Sequence, residues 1–320
     1  MRKLKLMVVI AVLAMVAGST MASNFRSGDL VYLPAVARLQ GGAFFNTDVV
    51  IANVNSSPVV VSIVYAPTGV DNSTVTSGPN VRDITLAAQE RREIIDVMKT
   101  VFNLDAANGF LLFFACKQGG NCSSTCTTNP TDPRSITVEG RIYVQKTDGS
   151  TFGQLFSGYP WYSYVSTNDA AKFLDKVTIA GVRVSGSLGV SGFRTNLGIV
   201  NASVDYRSPM LITLFNNNGT VFGTKTVDLA PLQHFQKAIT DPSLFPTFSG
   251  SGYIQLEQVS PPLAPGGCSQ GTPGFLAYGS LLDNVTSDPT TLETQYNIDL
   301  PIDCVYGTAK STARRPARRP

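Results

Sequence analysis

One nine-residue pattern occurs twice in this sequence, about 148 residues apart. Residues 45–53 read Phe-Asn-Thr-Asp-Val-Val-Ile-Ala-Asn, and residues 193–201 read Phe-Arg-Thr-Asn-Leu-Gly-Ile-Val-Asn. Further matches follow at separations of about 143 to 151 residues: Ser57-Pro58 with Ser208-Pro209, Leu86-Ala87 with Leu229-Ala230, and Gly109 with Gly252. Solenoid repeats have periods of roughly 20–50 residues. The repeat therefore predicts two copies of one domain, with Thr47 matching Thr195.

The apolar runs are short, rich in β-branched and aromatic residues, and bounded by Gly, Pro, Asn and Ser, which is typical of strands. Two segments favour helix or turn instead, Glu90–Leu104 and Asp241–Phe245. Many strands with little helix predict an all-β protein of two tandem antiparallel β-sandwich domains that arose by internal duplication. The predicted strands are Leu30–Ala37, Thr47–Asn53, Val59–Tyr65, Ile84–Leu86, Phe110–Ala115, Ile136–Val144, Val177–Val184, Leu197–Asn201, Met210–Phe215, Thr226–Leu229, Tyr253–Val259 and Phe275–Leu282.

The first 22 residues have the features of a secretory signal peptide. A basic start precedes the apolar run Leu6–Ala17, and Thr20-Met21-Ala22 is a small-x-small cleavage site. The run is shorter than the roughly 20 residues of a membrane span. We therefore expect an exported protein without a membrane span, located outside the cell, in the periplasm or at the cell surface.

The predicted organisation has five parts. They are a signal peptide at 1–22, a β-sandwich domain at 27–156, an aromatic linker at 157–174, a second β-sandwich domain at 175–300, and a disordered basic tail at 305–320. Eight of the 25 Lys and Arg residues fall in the signal peptide and from Lys310 onward, which leaves 17 against 22 Asp and Glu. An acidic body does not favour nucleic acid as a partner.

The chain has five cysteines. In an exported protein they favour disulfides over metal binding. We predict one disulfide between Cys268 and Cys304 and one between Cys116 and either Cys126 or Cys122, which leaves one thiol unpaired within the chain. The loops that carry these cysteines, Lys117–Arg134 and Ser260–Gly274, are much longer than most loops in compact domains, and long loops often bind partners.

Two groups of residues are candidate ligand sites. Tyr159, Trp161, Tyr162 and Tyr164 fall in the predicted linker. They could form a sugar-stacking surface, or they could pack between the two domains. In the loop after the last strand, Asp283, Asn284 and Asp288 offer the oxygen ligands that calcium prefers. The alternative for this loop is an Asx turn, in which the side chains bond their own backbone. No other cofactor is predicted.

The residues that could support catalysis are few. His234 is the only histidine, so any Ser-His-Asp or Cys-His site would have to use it. A glycosidase needs only two suitably placed carboxylates, and Glu139, Glu257 and Glu293 are candidates. The sequence predicts no catalytic residues.

Several motifs resemble those of secreted bacterial proteins of unknown function that contain one or two β-rich repeat units. They are Leu-Pro-Ala-Val-Ala at 33–37, the 193–201 segment, Arg141-Ile-Tyr143 with Gly149–Gln154, and Leu282–Pro289. The resemblance covers most of residues 30–295 and implies the β-rich fold, but it implies no activity.

Together these features predict a non-catalytic exported protein that has a binding or structural role outside the cell or at its surface. The expected partner is an extracellular protein or a glycan. Carbohydrate binding is the alternative function, and a carboxylate-based glycoside hydrolase is the third.

Overall fold

The computed structural model describes residues 27–41, 43–75, 78–119, 134–163, 176–259 and 274–296. We refer to 27–163 as the N-terminal half and to 176–296 as the C-terminal half. The first contains β1 Leu30–Gln40, β2 Phe44–Asn53, β3 Val59–Pro67, β4 Val81–Leu86, β5 Arg91–Ile94, helix α1 Val97–Thr100, β6 Ala107–Lys117, β7 Ile136–Gln145, β8 Thr151–Ser157, β9 Tyr159–Pro160 and a short 3-10 helix at Trp161–Ser163. The second contains β10 Lys176–Val184, β11 Phe193–Asn201, β12 Ser208–Asn216, β13 Val221–Leu229, β14 His234–Ala238, β15 Gly250–Gln258, β16 Phe275–Asp283, β17 Pro289–Leu292 and β18 Thr294–Tyr296.

The all-β fold class with antiparallel sheets is confirmed, and each predicted strand is present. The strands that the sequence did not indicate are β5, β8, β9, β14, β17 and β18, most of which are too short for a clear hydrophobic period. No helix among the described residues combines the length and hydrophobicity needed to cross a bilayer.

The helix predicted over Glu90–Leu104 is wrong for most of its length. Only Val97–Thr100 is helical, and Arg91–Ile94 instead forms β5. In this strand Ile94 pairs with Val49 at the otherwise open edge of β2. A short apolar run fits the helical period of 3.6 residues and the strand period of 2 equally well. Here pairing with β2 overrides the local preference for helix.

Two sheets face each other in each half, and the strand order is the same in both. In the N-terminal half the orders are β5-β2-β7-β8 and β4-β3-β6-β1-β9, and the last residues of β1 also pair with β2. In the C-terminal half they are β14-β11-β16-β17 and β13-β12-β15-β10-β18. This shared order is what a duplication would produce, but the duplication itself stays a prediction.

Thr47 and Thr195 make the same contacts in the two halves. Each hydroxyl accepts a hydrogen bond from a backbone N–H of the first strand and donates to the carbonyl of that same residue, which is Ala37 in one half and Arg183 in the other. Both threonines are buried. Their hydroxyls therefore satisfy backbone groups beside an irregular strand, as buried polar groups must be satisfied.

Gly109 and Gly252 also occupy matching positions. Each lies opposite the point where the first strand shifts register, pairing with Val36 or Val182. A Cβ atom at Gly109 would collide with the carbonyl oxygen of Ala66, and one at Gly252 with that of Phe215. Glycine is needed at both places because the neighbouring backbone approaches so closely.

The two halves pack together through an apolar interface. The outer side of the β4-β3-β6-β1-β9 sheet contributes Tyr32, Val64, Phe110 and Leu112, which contact Leu276 and other residues of the C-terminal half in one buried cluster. Residues 159–163 of the predicted linker belong to the N-terminal half, since β9 pairs with β1. Residues 164–174 lie outside the described residues, so the predicted domain limits stay predictions.

Hydrogen bonds also join the halves, mainly between residues 68–72 and 231–234. Gly69 N–H donates to the His234 carbonyl over 2.9 Å, and Asn72 N–H donates to the Pro231 carbonyl over 3.0 Å. The Asn72 side-chain amide donates to the carbonyl of Leu232 over 2.8 Å. Buried polar groups are thus paired across the interface.

We expect Asn72→Ala to destabilise the protein. Asn72 is buried, and its amide also donates to the carbonyls of Pro67 and Val70. Removing it leaves buried carbonyls unsatisfied, which costs about 1–3 kcal/mol. Chemical denaturation of the variant and of wild type would measure the change. Asn217→Ala, at an exposed turn, is the control, and equal stability of Asn72→Ala and wild type would contradict the structural role of these bonds.

Candidate functional site

The outer side of the β13-β12-β15-β10-β18 sheet is exposed, and we call it the open face. The inner side of this sheet packs into the C-terminal core through Ile179, Ile212 and Leu256, all fully buried. Side chains alternate between the two sides of a strand. The residues between these core positions therefore point outward, and none of them belongs to an apolar cluster.

A row of polar residues crosses all five strands of the open face. Cross-strand pairing places them side by side in the order Thr224, Thr213, Gln255, Thr178 and Gln295. The side chains of Thr213, Thr224, Gln255 and Gln295 make no hydrogen bond to other described residues. Their donors and acceptors are therefore available to a ligand.

The same row in the N-terminal half is apolar. There the strand pairing runs Val81, Val64, Leu112, Tyr32 and Tyr159. All five belong to the interface cluster or pack against it. The row is thus apolar where the other half covers it and polar where nothing described covers it.

Two aromatic rings lie beside the polar row. Phe215 and Tyr253 are cross-strand neighbours on β12 and β15, and their rings stack with centroids 4.5 Å apart and planes 6° apart. Both are half-buried, and Val221, which pairs with Phe215, is exposed. Partly exposed aromatic rings among hydrogen-bonding groups are typical of ligand-binding surfaces.

Two ion pairs lie on the open face. Lys176 and Glu257 form an ion pair over 3.1 Å, and Arg207 and Asp228 at the sheet edge form another over 2.8 Å.

Three exposed charged residues near the row make no ion pair among the described residues, namely Arg183, Lys225 and Glu293. Lys225 pairs with the buried Ile212 and so alternates to the other side of the sheet from Thr224, and the Arg183 guanidinium lies over the Phe193 ring. The aromatic pair and the polar row together can contact a ligand that has both apolar and hydroxyl surfaces.

Of the four aromatic residues of the predicted linker, Tyr159 and Trp161 have described side chains, and these two make different contacts. Tyr159 pairs with Tyr32 and packs against the interface cluster. Trp161 is 37% exposed, and its indole N–H donates to Asp29 Oδ1 over 3.0 Å. The side chain of Tyr162 and the whole of Tyr164 lie outside the described residues. Ligand binding by this group stays a prediction.

The predicted calcium loop is a hydrogen-bonded turn after β16. Asp283 Oδ1 accepts bonds from the backbone N–H groups three and two residues further on, and these bonds hold the pKa of Asp283 below its ordinary value. Asn284 is buried, and its Oδ1 accepts a bond from Arg194 over 3.2 Å. The backbone N–H of Asp288 donates to a threonine hydroxyl of the same turn. These contacts fit the Asx-turn alternative.

No group of three or more His, Cys, Asp or Glu side chains that could hold a metal occurs within the part of the chain that is described. Calcium binding by the turn stays a prediction.

His234 lies between the two halves with no access to solvent. Its Nδ1 is 2.6 Å from the Thr68 hydroxyl, and its Nε2 is 2.9 Å from the Tyr278 hydroxyl. The Tyr278 hydroxyl in turn donates to Gln236. Because the Tyr278 hydroxyl uses its proton in that bond, it accepts a hydrogen bond from His234 Nε2–H. His234 Nδ1 then carries no proton and accepts a hydrogen bond from the Thr68 hydroxyl. Burial lowers the pKa of His234 to about 3 and raises that of Tyr278.

The three candidate carboxylates lie on different elements. Glu139 is on β7, Glu257 is on β15 and is paired with Lys176, and Glu293 lies between β17 and β18. These positions give no reason to assign them as a catalytic pair.

Cys116 is buried on β6. Cys122, Cys126, Cys268 and Cys304 lie outside the described residues, as do residues 120–133 and 260–273 of the two long loops. The disulfide pairings and a binding role of the loops therefore stay predictions.

Sequence reasoning missed Phe215, Tyr253 and Gln255, although a signal was present. The run in β6 is apolar on both sides, whereas its counterpart β15 alternates apolar and polar residues over residues 254–257. Continuous apolar runs indicate strands covered on both sides, and alternation indicates one exposed side. Comparing the two copies strand by strand would have found the exposed sheet.

No protein-family model matches the chain, and no curated protein matches it. Three solved structures show distant likenesses. A calcium-binding mutant of Bacteroides uniformis β-glucuronidase 2 is 10% identical with a TM-score of 0.16, and the match covers 87% of this chain but only 27% of that one.

A Pleurotus ostreatus lectin in complex with GalNAc is also 10% identical, with a TM-score of 0.16 and coverage of 87% and 86%. A human norovirus virus-like particle is 11% identical, with a TM-score of 0.17 and coverage of 88% and 81%. TM-scores this low do not establish a shared fold, so function is argued from the site itself.

Proposed function

We propose that this chain is an exported, non-catalytic binding protein whose two halves act as a rigid support for the open face. The observation that carries the proposal is the contrast between the matched rows. Leu112 and Tyr32 are buried between the halves, whereas Gln255 and Thr178 at the same strand positions face outward. A terminal repeat needs a polar outer face for solubility, but solubility does not require the aromatic pair Phe215 and Tyr253.

Export and duplication belong to the same proposal. The signal-like segment at 1–22 supports export, and the shared strand order supports duplication. In an exported protein we infer disulfides between Cys268 and Cys304 and between Cys116 and Cys126 or Cys122. Non-reducing peptide mapping tests these pairings.

Carbohydrate is the ligand class that the open face favours. The rings of Phe215 and Tyr253 offer apolar surface for sugar C–H groups. The amide of Gln255 and the hydroxyl of Thr213 offer donors and acceptors that no described residue uses. A protein partner would match this surface less well, because it would bury many polar groups that must all find partners.

We expect glycan binding by wild type and its loss in Phe215→Ala/Tyr253→Ala. The lost ring contacts, worth about 1–3 kcal/mol, correspond to a decrease in affinity of about fivefold to 150-fold. A glycan array followed by isothermal titration with the best ligand measures the effect. Phe44→Ala, which removes an exposed ring (37%) on β2, away from the open face, is the control and should bind as wild type does.

Two results would contradict the proposal. Equal glycan affinity of the double variant and wild type would show that the open face is not the binding site. Release of new reducing ends from a polysaccharide, lost in Glu139→Gln or Glu257→Gln, would make the protein a hydrolase rather than a binding protein.

A further inference from the structure

We infer that the ligand of the open face is an uncharged, extended polysaccharide chain that lies across the strands along the polar row. This inference rests on the proposed carbohydrate binding and adds the shape, charge and direction of the ligand. The inference follows from three features of the open face. They are the alignment of the row across the strands, the absence of charged residues from the row, and the position of the two aromatic rings.

The shape of the site favours a chain. Thr224, Thr213, Gln255, Thr178 and Gln295 are direct cross-strand neighbours, so they form a line perpendicular to the strands. Strands lie about 4.8 Å apart, so the row spans about 19 Å. A single terminal sugar could contact only part of such a line, whereas an extended chain can contact every position.

The charge of the site favours an uncharged ligand. Lys176 and Glu257 neutralise each other, as do Arg207 and Asp228. The row itself consists only of Thr and Gln. The outer side of the β5-β2-β7-β8 sheet differs, since the cross-strand neighbours Asp48 and Arg141 there, both among the described residues, form no ion pair with each other. The two nearby cations without an ion pair are not part of the row, because Lys225 alternates to the inner side of the sheet and the Arg183 guanidinium lies over Phe193.

The two rings define an apolar strip beside the row. Phe215 and Tyr253 occupy β12 and β15, the same two strands that carry Thr213 and Gln255. A sugar held by Thr213 and Gln255 would therefore lie within reach of ring surface on one side. Amide and hydroxyl groups beside aromatic surface match the alternating hydroxyl edges and C–H faces of a sugar chain.

A second copy of this chain is the competing occupant of the open face. It would have to dock as the C-terminal half docks on the N-terminal half. In the N-terminal half the row covered in this way is apolar and includes Val64 and Leu112. In a dimer through the open face, Thr213 and Gln255 would be buried without fixed hydrogen-bond partners. Burying unpaired polar groups opposes association.

The inference is tested with a length series of uncharged linear gluco- and manno-oligosaccharides, the corresponding monosaccharides, and polygalacturonate as the acidic probe. We expect affinity to rise with length until the row is covered and then to level off. We also expect little change from low to high salt, because no net charge is neutralised. Gln255→Ala/Thr213→Ala should weaken binding of the longest oligosaccharide about tenfold.

Thr137→Ala/Gln145→Ala, on the outer side of the other exposed sheet, is the matched control and should bind as wild type does. Monosaccharides that bind as tightly as chains would overturn the extended-chain inference while leaving carbohydrate binding intact. Salt-dependent binding of polygalacturonate would overturn the uncharged ligand. Absence of binding to any glycan would instead overturn the proposed function. A concentration-dependent dimer that Gln255→Ala abolishes would assign the face to a second copy.

Discussion

Leu112→Gln is expected to destabilise the protein strongly, whereas the reciprocal change Gln255→Leu is expected to leave its stability nearly unchanged. The two residues hold the same position in matching rows. Leu112 has no solvent exposure and packs between the halves, so the variant buries an amide among apolar side chains. Loss of leucine packing and burial of an unpaired amide together cost about 3 kcal/mol or more.

Gln255 is half-buried on the open face, and leucine there should change the free energy of unfolding by about 0.5 kcal/mol or less. Denaturant unfolding of both variants at equal protein concentration measures the two effects. A comparable loss of stability in both variants would show that the open face is covered in solution. Gln255→Leu should also weaken glycan binding, since it removes a donor and an acceptor from the row.

The stability of the protein should rise steeply between pH 5 and pH 6.5 because of His234. Burial lowers the pKa of His234 from 6.5 to about 3, so the folded state keeps this imidazole neutral while the unfolded state binds a proton. Between these two pKa values the unfolded state binds more protons, and stability therefore falls as pH falls. The slope is about 1.4 kcal/mol per pH unit, which gives about 2 kcal/mol from pH 6.5 to pH 5.

His234→Gln isolates this effect, because the carboxyl groups titrate mainly below about pH 4.5. We expect the variant to be less stable than wild type at pH 7 and to lose less stability between pH 6.5 and pH 5. His234 is the only histidine in the sequence, so its ring resonances in a proton NMR spectrum can be followed without ambiguity. A resonance that titrates near pH 6.5 in the folded protein would contradict the buried, neutral state.

The sequence alone determined which segments are strands and where the two halves repeat. Apolar residues at every second position, such as Ile254 and Leu256, predict a strand because successive side chains of a strand point to opposite sides of the sheet. The repeated Thr47 and Thr195 reflect a local requirement, since each hydroxyl satisfies backbone groups of the neighbouring strand. Such requirements act over a few residues or between adjacent strands and leave a pattern in the sequence.

Tertiary structure decided the strands and sites that depend on distant neighbours. Arg91–Ile94 became β5 because the edge of β2 was available for pairing, although its local pattern also fits a helix. Tyr159 packs against the interface between the halves because β9 pairs with β1. The line from Thr224 to Gln295 joins residues that are far apart in the chain, and only strand register places them side by side. Packing of the two halves decides which of the two matching sheet faces is buried. The face of the N-terminal half is buried because residues of the C-terminal half cover it.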